Sequence, residues 1–362
     1  MAVERRSDTD GGRLGTRVVV AELAADVADA IDRLVIEPQT PPAPGPSDVR
    51  IAVRSAAVGW VDLLMTTGQY QHVPAPPYTP GMEYAGVIDA VGADVRDWQV
   101  GDRVVADGFR TGPRSGGDHQ RHGGFASWTL APADAVFALP AALSFDAGAC
   151  LLGSDETAWP CLVHRAALRA GETALILGAT GATGLAAVHV AHRVGATVIA
   201  VGRSADKLAA VQAEGADHVW SGAPEAMAEA VKALTGGRGA DVVYDGVGGA
   251  MSDPAMRAAA FGARYCVVGW ASTPQAGRRG VPPNALPSNL ILMKGLTVLG
   301  CPTVIATGRD PSIRAERLAA LWRWVDQGLR PRIARVWALP EVADAMRAKR
   351  DGAYVGGLVL HP

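Results

Sequence analysis

The chain has too few cysteines to build a disulfide framework. Its 362 residues hold four, Cys150, Cys161, Cys266 and Cys301, widely spaced and with no C-x-x-C pair. Neither a stapled scaffold nor a cysteine-rich zinc knuckle is expected, and a reducing cytoplasm fits best. A surplus of one charge is also missing, since 34 Lys and Arg stand against 36 Asp and Glu, a net charge of -2. That balance gives no electrostatic reason to expect nucleic acid or an anionic membrane as partner. Long apolar runs are absent too. The apolar, uncharged stretch Ala174 to Ala191 is cut by three glycines, two threonines and His189, so it reads as strand, turn and helix and no membrane span is expected. The opening MAVERRSDTDGGRLGT is polar; it lacks the apolar centre of a signal peptide and reads as a disordered extension over residues 1–16.

What is present points to two domains of an α/β protein. From residue 17 to about 150, short β segments (RVVV, RLVIE, VRIAVRSAAVG, AGVIDAVG, DRVVA, FASWTLA) are separated by Pro/Gly turns. From about 172 strands and helices alternate: ALILG, a helix from Gly181 to about Val194, TVIAVG, a helix over 205–214, HVW, then DVVYDGV and RYCVVGW. This rhythm predicts a doubly wound parallel sheet. LTVLGC, a helix over about 312–327 and a closing YVGGLVL strand complete the chain.

The strongest chemical signal is TALILGATGATGLAAVHVAHRVGATVIAVGRS. A buried strand runs into a turn, Thr180 and Gly181, and a helix opens with Ala182, Thr183 and Gly184. Such a turn lets backbone approach a pyrophosphate, Gly184 permits close helix–strand packing, and the helix N-terminus offers N–H groups to negative charge. The alternative is a tight turn in an α/β domain without a nucleotide. At the end of the next strand an NAD site places Asp or Glu on the ribose 2′-hydroxyl. Here Gly202, Arg203 and Ser204 stand instead, with Lys207 one turn later, a set suited to a 2′-phosphate and hence to NADPH. Ordinary solvated surface charges are the other reading of Arg203 and Lys207.

Over nearly the whole chain from residue 17 the sequence resembles the medium-chain dehydrogenase/reductase superfamily, in its zinc-free quinone oxidoreductase (zeta-crystallin-like) branch. The matching motifs, in family order, are PGPSDVRIAVRSAAVGWVDLLMTTGQY, PYTPGMEYAGVIDAVGADVRDWQVGDRV, GGFASWTLAPADAVFALP, ATGATG, YDGVGG and YCVVGWAS followed by NLILMKGLTVLG. The resemblance implies a GroES-like β-rich catalytic domain over 17–152 and 302–362, a Rossmann NADPH-binding domain over 153–301, and a cleft between them. Zinc-dependent relatives carry ligands near Gly59, Met82 and Ser154. Gly has no side chain, Met is a thioether and Ser is a poor ligand, so no catalytic metal is expected. The structural zinc lobe of those relatives is replaced by residues 107–124, holding Arg110, Arg114, His119, Arg121 and His122 without cysteine; it reads as a mobile Gly-rich loop near the cleft mouth.

Without a Lewis acid, the expected chemistry is hydride transfer to a quinone or an activated alkene, which supplies its own electron sink. The resemblance offers Tyr70, in TTGQY, as proton donor or pocket wall. Thr157 is implied to lie beside the nicotinamide, and Asp62 is either a structural hydrogen-bond acceptor or a proton relay. Gly248 with Gly249, Gly269 and Ala271 are implied cofactor contacts. Nine tryptophans against five phenylalanines suggest an aromatic platform from Trp60, Trp159 and Trp270, with core packing as the plainer account. The alternatives to quinone reduction are an enoyl-thioester or pathway-specific enone reductase, and an NADPH-binding protein with little turnover. The expected partner is a small molecule. A homodimer through the LTVLGC edge at 296–301 is implied by the resemblance.

Overall fold

Pro/Gly punctuation divides the first 150 residues into strands of 3 to 10 residues, and the later strand–helix alternation yields strands of 3 to 9. The computed structural model describes residues 12–276 and 280–362. Its strands are β1 (Gly15–Val19), β2 (Val35–Gln39), β3 (Asp48–Ala57), β4 (Glu83–Val91), β5 (Arg103–Ala106), β6 (Trp128–Pro132) and β7 (Val136–Ala138). They continue with β8 (Thr173–Leu177), β9 (Thr197–Val201), β10 (His218–Trp220), β11 (Ala240–Asp245), β12 (Ala259–Val267), β13 (Thr297–Gly300), β14 (Ile333–Ala338) and β15 (Gly357–His361). The chain forms two units and passes between them after Ala149, Ala334, Arg350 and Gly357.

In the first unit β3 is the organising strand. It pairs with β4 along its length, while its other edge is shared by β6 over Asp48–Ala52 and by β15 at Ala56 and Ala57. Register shifts after Arg50 and Val53 bend the β3–β4 pair, as bulges do in a curling sheet. The inward residues Val49, Ile51, Ile88 and Val104 are fully buried. Of the extension expected over 1–16, residues 1–11 lie outside the described residues, and Gly15 and Thr16 already pair with Gln39 and Pro38.

In the second unit six strands form one parallel sheet in the order β10-β9-β8-β11-β12-β13. Both faces are covered, so alternate residues sort into two cores. Ala174, Ile176, Val198, Ala200, Val242 and Tyr244 belong to one, and Leu175, Leu177, Ile199, Val201, Val243 and Tyr265 to the other. The boundary expected at 302 needs correction, because this unit keeps the chain to Ala334. Ala320 and Leu321 of the helix Arg314–Asp326 complete the first of the two cores. From the same helix Arg314 and Arg317 reach the fully buried Glu156 at 2.5 and 2.8 Å, which fastens it to this unit.

Candidate active site

The residues expected to hold the nucleotide follow the carboxyl ends of register-aligned strands. Leu177 of β8 partners Val201 of β9 and Asp245 of β11, and Asp245 partners Val267 of β12. Thr180–Gly184, Gly202–Lys207, Gly248 and Gly269–Ala271 therefore leave the sheet at one level, where the strand order reverses about β8. This is the place at which open α/β sheets bind ligands. The helix Ala182–Val194 opens at Gly181 with no side-chain cap, which leaves its first N–H groups to be met from outside. Gly184 is required by packing: a Cβ there would sit 2.2 Å from the Gly178 carbonyl oxygen.

Beyond β9, Arg203 is exposed and Ser204 caps the helix Ala205–Ala213, accepting from the Lys207 N–H. Lys207 Nζ donates to the Gly352 carbonyl at 2.6 Å, leaving two of its three donors uncommitted. A Cβ at Gly352 would lie 3.2 Å from an Arg203 guanidinium nitrogen, so Arg203, Lys207 and the Gly352 backbone share one corner. Two cations and a hydroxyl in one corner suit a phosphate.

The third turn is built by a residue not singled out from the sequence. Asp245 is buried, and its Oδ1 accepts from the Val247 and Gly248 N–H groups at 2.9 and 2.8 Å. Its Oδ2 accepts from Ser252 Oγ at 2.8 Å and Tyr265 OH at 2.5 Å. Four donors on one carboxylate fix the path through Gly248, whose φ is 69° and whose Cβ would lie 3.0 Å from Trp270. An aspartate closing a strand before a Gly-rich turn was the available signal.

In the first unit Asp62 is 1% exposed. Its carboxylate accepts from the Gly59, Gly81 and Met82 N–H groups at 2.9, 3.1 and 3.2 Å. Burial pushes its pKa up to about 6 against the opposing pull of these bonds and of the Arg114 charge. Of the two roles weighed for it, the contacts are those of a structural acceptor that caps the helix Trp60–Met65 and ties it to the turn before β4. Tyr70 is half-buried, with the Arg114 guanidinium 5.7 Å from its ring centroid.

The mobile loop expected over 107–124 is folded instead. Two short 3₁₀ turns, Gly112–Arg114 and Gly117–Arg121, pack against each other, and Thr111, Pro113 and Ser115 are buried. Asp107 accepts from the Phe109 N–H, Arg110 pairs with Asp134 at 2.6 Å, and His119 meets Asp48 at 3.1 Å. These contacts give the segment a defined path despite its glycines.

One member of the expected tryptophan platform is corrected as well. Trp159 is 4% exposed, packed in the core beneath β8 and β11 and edge-on to His164, so it is a packing residue. Trp270 is 52% exposed beside Gly248, and Trp60 is half-buried at the start of its helix. Thr157 Oγ1 donates to the Gly153 carbonyl at 2.8 Å, leaving it only acceptor capacity. Three of the widely spaced cysteines, Cys161, Cys266 and Cys301, meet in one core. All four are free thiols.

Family models match two stretches of this chain: an alcohol dehydrogenase GroES-like domain over 45–141 and a zinc-binding dehydrogenase domain over 182–316. The chain is 33% identical over 325 residues to the quinone oxidoreductase-like protein 2 of Bos taurus, covering 89% of this chain and 87% of that one. It belongs to the medium-chain dehydrogenase/reductase superfamily, in the quinone oxidoreductase branch. As a member it is an oxidoreductase built from a GroES-like domain and a nucleotide-binding α/β domain. A probable oxidoreductase from Mycobacterium abscessus shares this fold, with a TM-score of 0.81, 29% identity and coverage of 97% and 99% of the two chains. The superfamily segment also occurs inside larger chains. A mycocerosic acid synthase-like polyketide synthase of Mycobacterium tuberculosis is 27% identical over 318 residues, 88% of this chain but 14% of that one. Among the described residues no helix is long and apolar enough to cross a membrane.

Proposed function

We propose that this medium-chain oxidoreductase reduces a quinone or an activated alkene with NADPH and without zinc. The observation that carries the reading is the Gly202–Arg203–Ser204 corner with Lys207, which offers two cations and a hydroxyl where an NADH site needs a carboxylate. Zinc independence is supported by the donors at the three ligand positions: Gly59 has no side chain, Met82 is buried, and Ser154 offers a hydroxyl. The uncapped turn at Gly181 would take the pyrophosphate, and the Asp245-anchored turn at Gly248, with Gly269 and Ala271, would border the nicotinamide end.

The bound nicotinamide supplies the hydride; the protein must orient the acceptor and manage charge and a proton. Tyr70 is the proton-donor candidate, its ring 5.7 Å from the Arg114 guanidinium, a cation that favours negative charge developing nearby. Thr157, able only to accept, suits a carboxamide N–H. Asp62 holds its helix and moves no proton, since both oxygens accept backbone N–H groups. A second copy of the chain would pair along β13, the sheet's last strand. Nearby Phe261, Leu292 and Met293 are 83%, 82% and 72% exposed, an apolar patch that pairing would cover. A reducing cytoplasm is the compartment that suits four free thiols.

The test is cofactor oxidation by the purified protein with NADPH or NADH and a matched set of a small quinone, a simple enone and a short enoyl thioester. Quinone or enone turnover with NADPH preferred supports the reading. Turnover confined to the thioester, lost in Tyr70→Phe, replaces it with enoyl-thioester reduction. A tight NADPH complex inert to all three leaves a binding protein, and NADH preference removes the assigned role of Arg203.

A further inference from the structure

Among the described residues Arg114 forms no ion pair with a carboxylate. Its guanidinium carbon lies 5.2 Å from the Phe109 ring centroid and 5.7 Å from that of Tyr70. One nitrogen donates to the Gly108 carbonyl at 3.3 Å, while the buried Nε has no partner. Two other basic groups of the segment are spent on carboxylates, Arg110 on Asp134 and His119 on Asp48. Asp62, whose carboxyl feels the Arg114 charge, is itself buried and already takes three N–H groups. The charge also reaches His72, which burial and Arg114 together hold below its ordinary range.

A half-buried guanidinium without a carboxylate is costly, because desolvation is uncompensated. Two aromatic faces offset part of that cost, and one long carbonyl contact adds little. The aromatic faces do fix the planar fork in place, so that an incoming anion meets a preorganised donor. Tyr70 places a hydroxyl-bearing ring on the same cation.

We propose that Arg114 is an anion-recognition residue that binds a carboxylate, sulfonate or phosphate carried by the electron acceptor. It thereby makes the enzyme selective for acidic acceptors over neutral ones. The word acceptor rests on the reductase reading above; the anion site does not.

The test therefore reads binding rather than turnover. Isothermal titration calorimetry on the full chain compares naphthalene-2-sulfonate with its neutral sulfonamide, for wild type, Arg114→Gln and Arg114→Lys. The wild type is expected to bind the sulfonate at least about tenfold more tightly, a preference that shrinks as salt is raised. Arg114→Gln should abolish the preference and Arg114→Lys should keep part of it. Equal affinities in the wild type, no binding of either probe, or a preference that survives Arg114→Gln each overturn the proposal. Should Arg114→Gln fail to fold, the wild-type comparison and its salt dependence still decide. Absence of NADPH-dependent turnover would sink the reductase reading and leave the calorimetric result standing.

Discussion

Tyr265 on β12 and Asp245 on β11 are joined by a 2.5 Å hydrogen bond that crosses the sheet diagonally, since the register partner of Tyr265 is Val243. A core tyrosine thus holds the carboxylate that shapes the Gly248 turn. Replacing Asp245 by Asn sets an amide N–H₂ against donors that need an acceptor, at a cost of about 1–3 kcal/mol. Urea denaturation of Asp245→Asn should show this loss, and fluorescence titration should show weaker NADPH binding. Tyr265→Phe removes one donor only and should be milder. Unchanged cofactor affinity in Asp245→Asn would disconnect the turn from the cofactor.

Arg203→Ala should weaken NADPH binding by about tenfold, one charge-assisted contact, and leave NADH unaffected. Lys207→Ala should do the same and also lower the melting temperature, because its Nζ tethers the Gly352 carbonyl. Parallel titrations with the two cofactors check both, and an equal loss for NADPH and NADH would show that the 2′-phosphate is not read at this corner.

Asp155 is 2% exposed and its Oδ1 has no partner. Burial raises its pKa from 3.8 to about 6, with His189 and Arg193 pulling the other way. The folded protein therefore keeps this proton to a higher pH than the unfolded chain. The stability this gives is complete below pH 3.8 and is lost as pH rises through about 6. Asp155→Asn should remove that fall and be the more stable protein at pH 8, by up to about 3 kcal/mol. Urea denaturation of both proteins at pH 5 and pH 8 measures the difference; an Asn variant that is weaker at both values contradicts it.

Cys301 should be the first thiol to react in the native protein. The neighbouring Cys161 and Cys266 thiols and the Arg165 charge hold its pKa below the ordinary thiol range, while theirs are raised by the same neighbours and by burial. Thiolate character governs alkylation. Peptide mapping after brief iodoacetamide treatment at pH 7 should find label on Cys301 ahead of the other two, and equal labelling would mean the core opens as a whole.

The nucleotide-binding sheet was legible because buried parallel strands read as continuous apolar runs ended by glycines, as TALILG and TVIAVG do. What was missed depends on contacts between residues distant in sequence. The partners of Asp245 are partly local, but Tyr265 comes from another strand. Nothing in spacing gathers Cys161, Cys266 and Cys301, or closes Glu156 on Arg314 and Arg317. The glycines of 107–124 suggested mobility, while the contacts that order the segment come from Asp48 and Asp134 outside it. Trp159 was misplaced because sequence cannot say which face of a helix is turned inward.

The four passages of the chain between its units have a consequence for inheritance. Cys150–Ala334 supplies most of the nucleotide-binding unit, but its last piece, Asp351–Gly357, arrives after Arg335–Arg350 has been laid into the other. No single cut in the polypeptide yields two pieces that each hold one whole unit. Such a pair cannot be shuffled by halves, and recombination has to move it as an indivisible cassette.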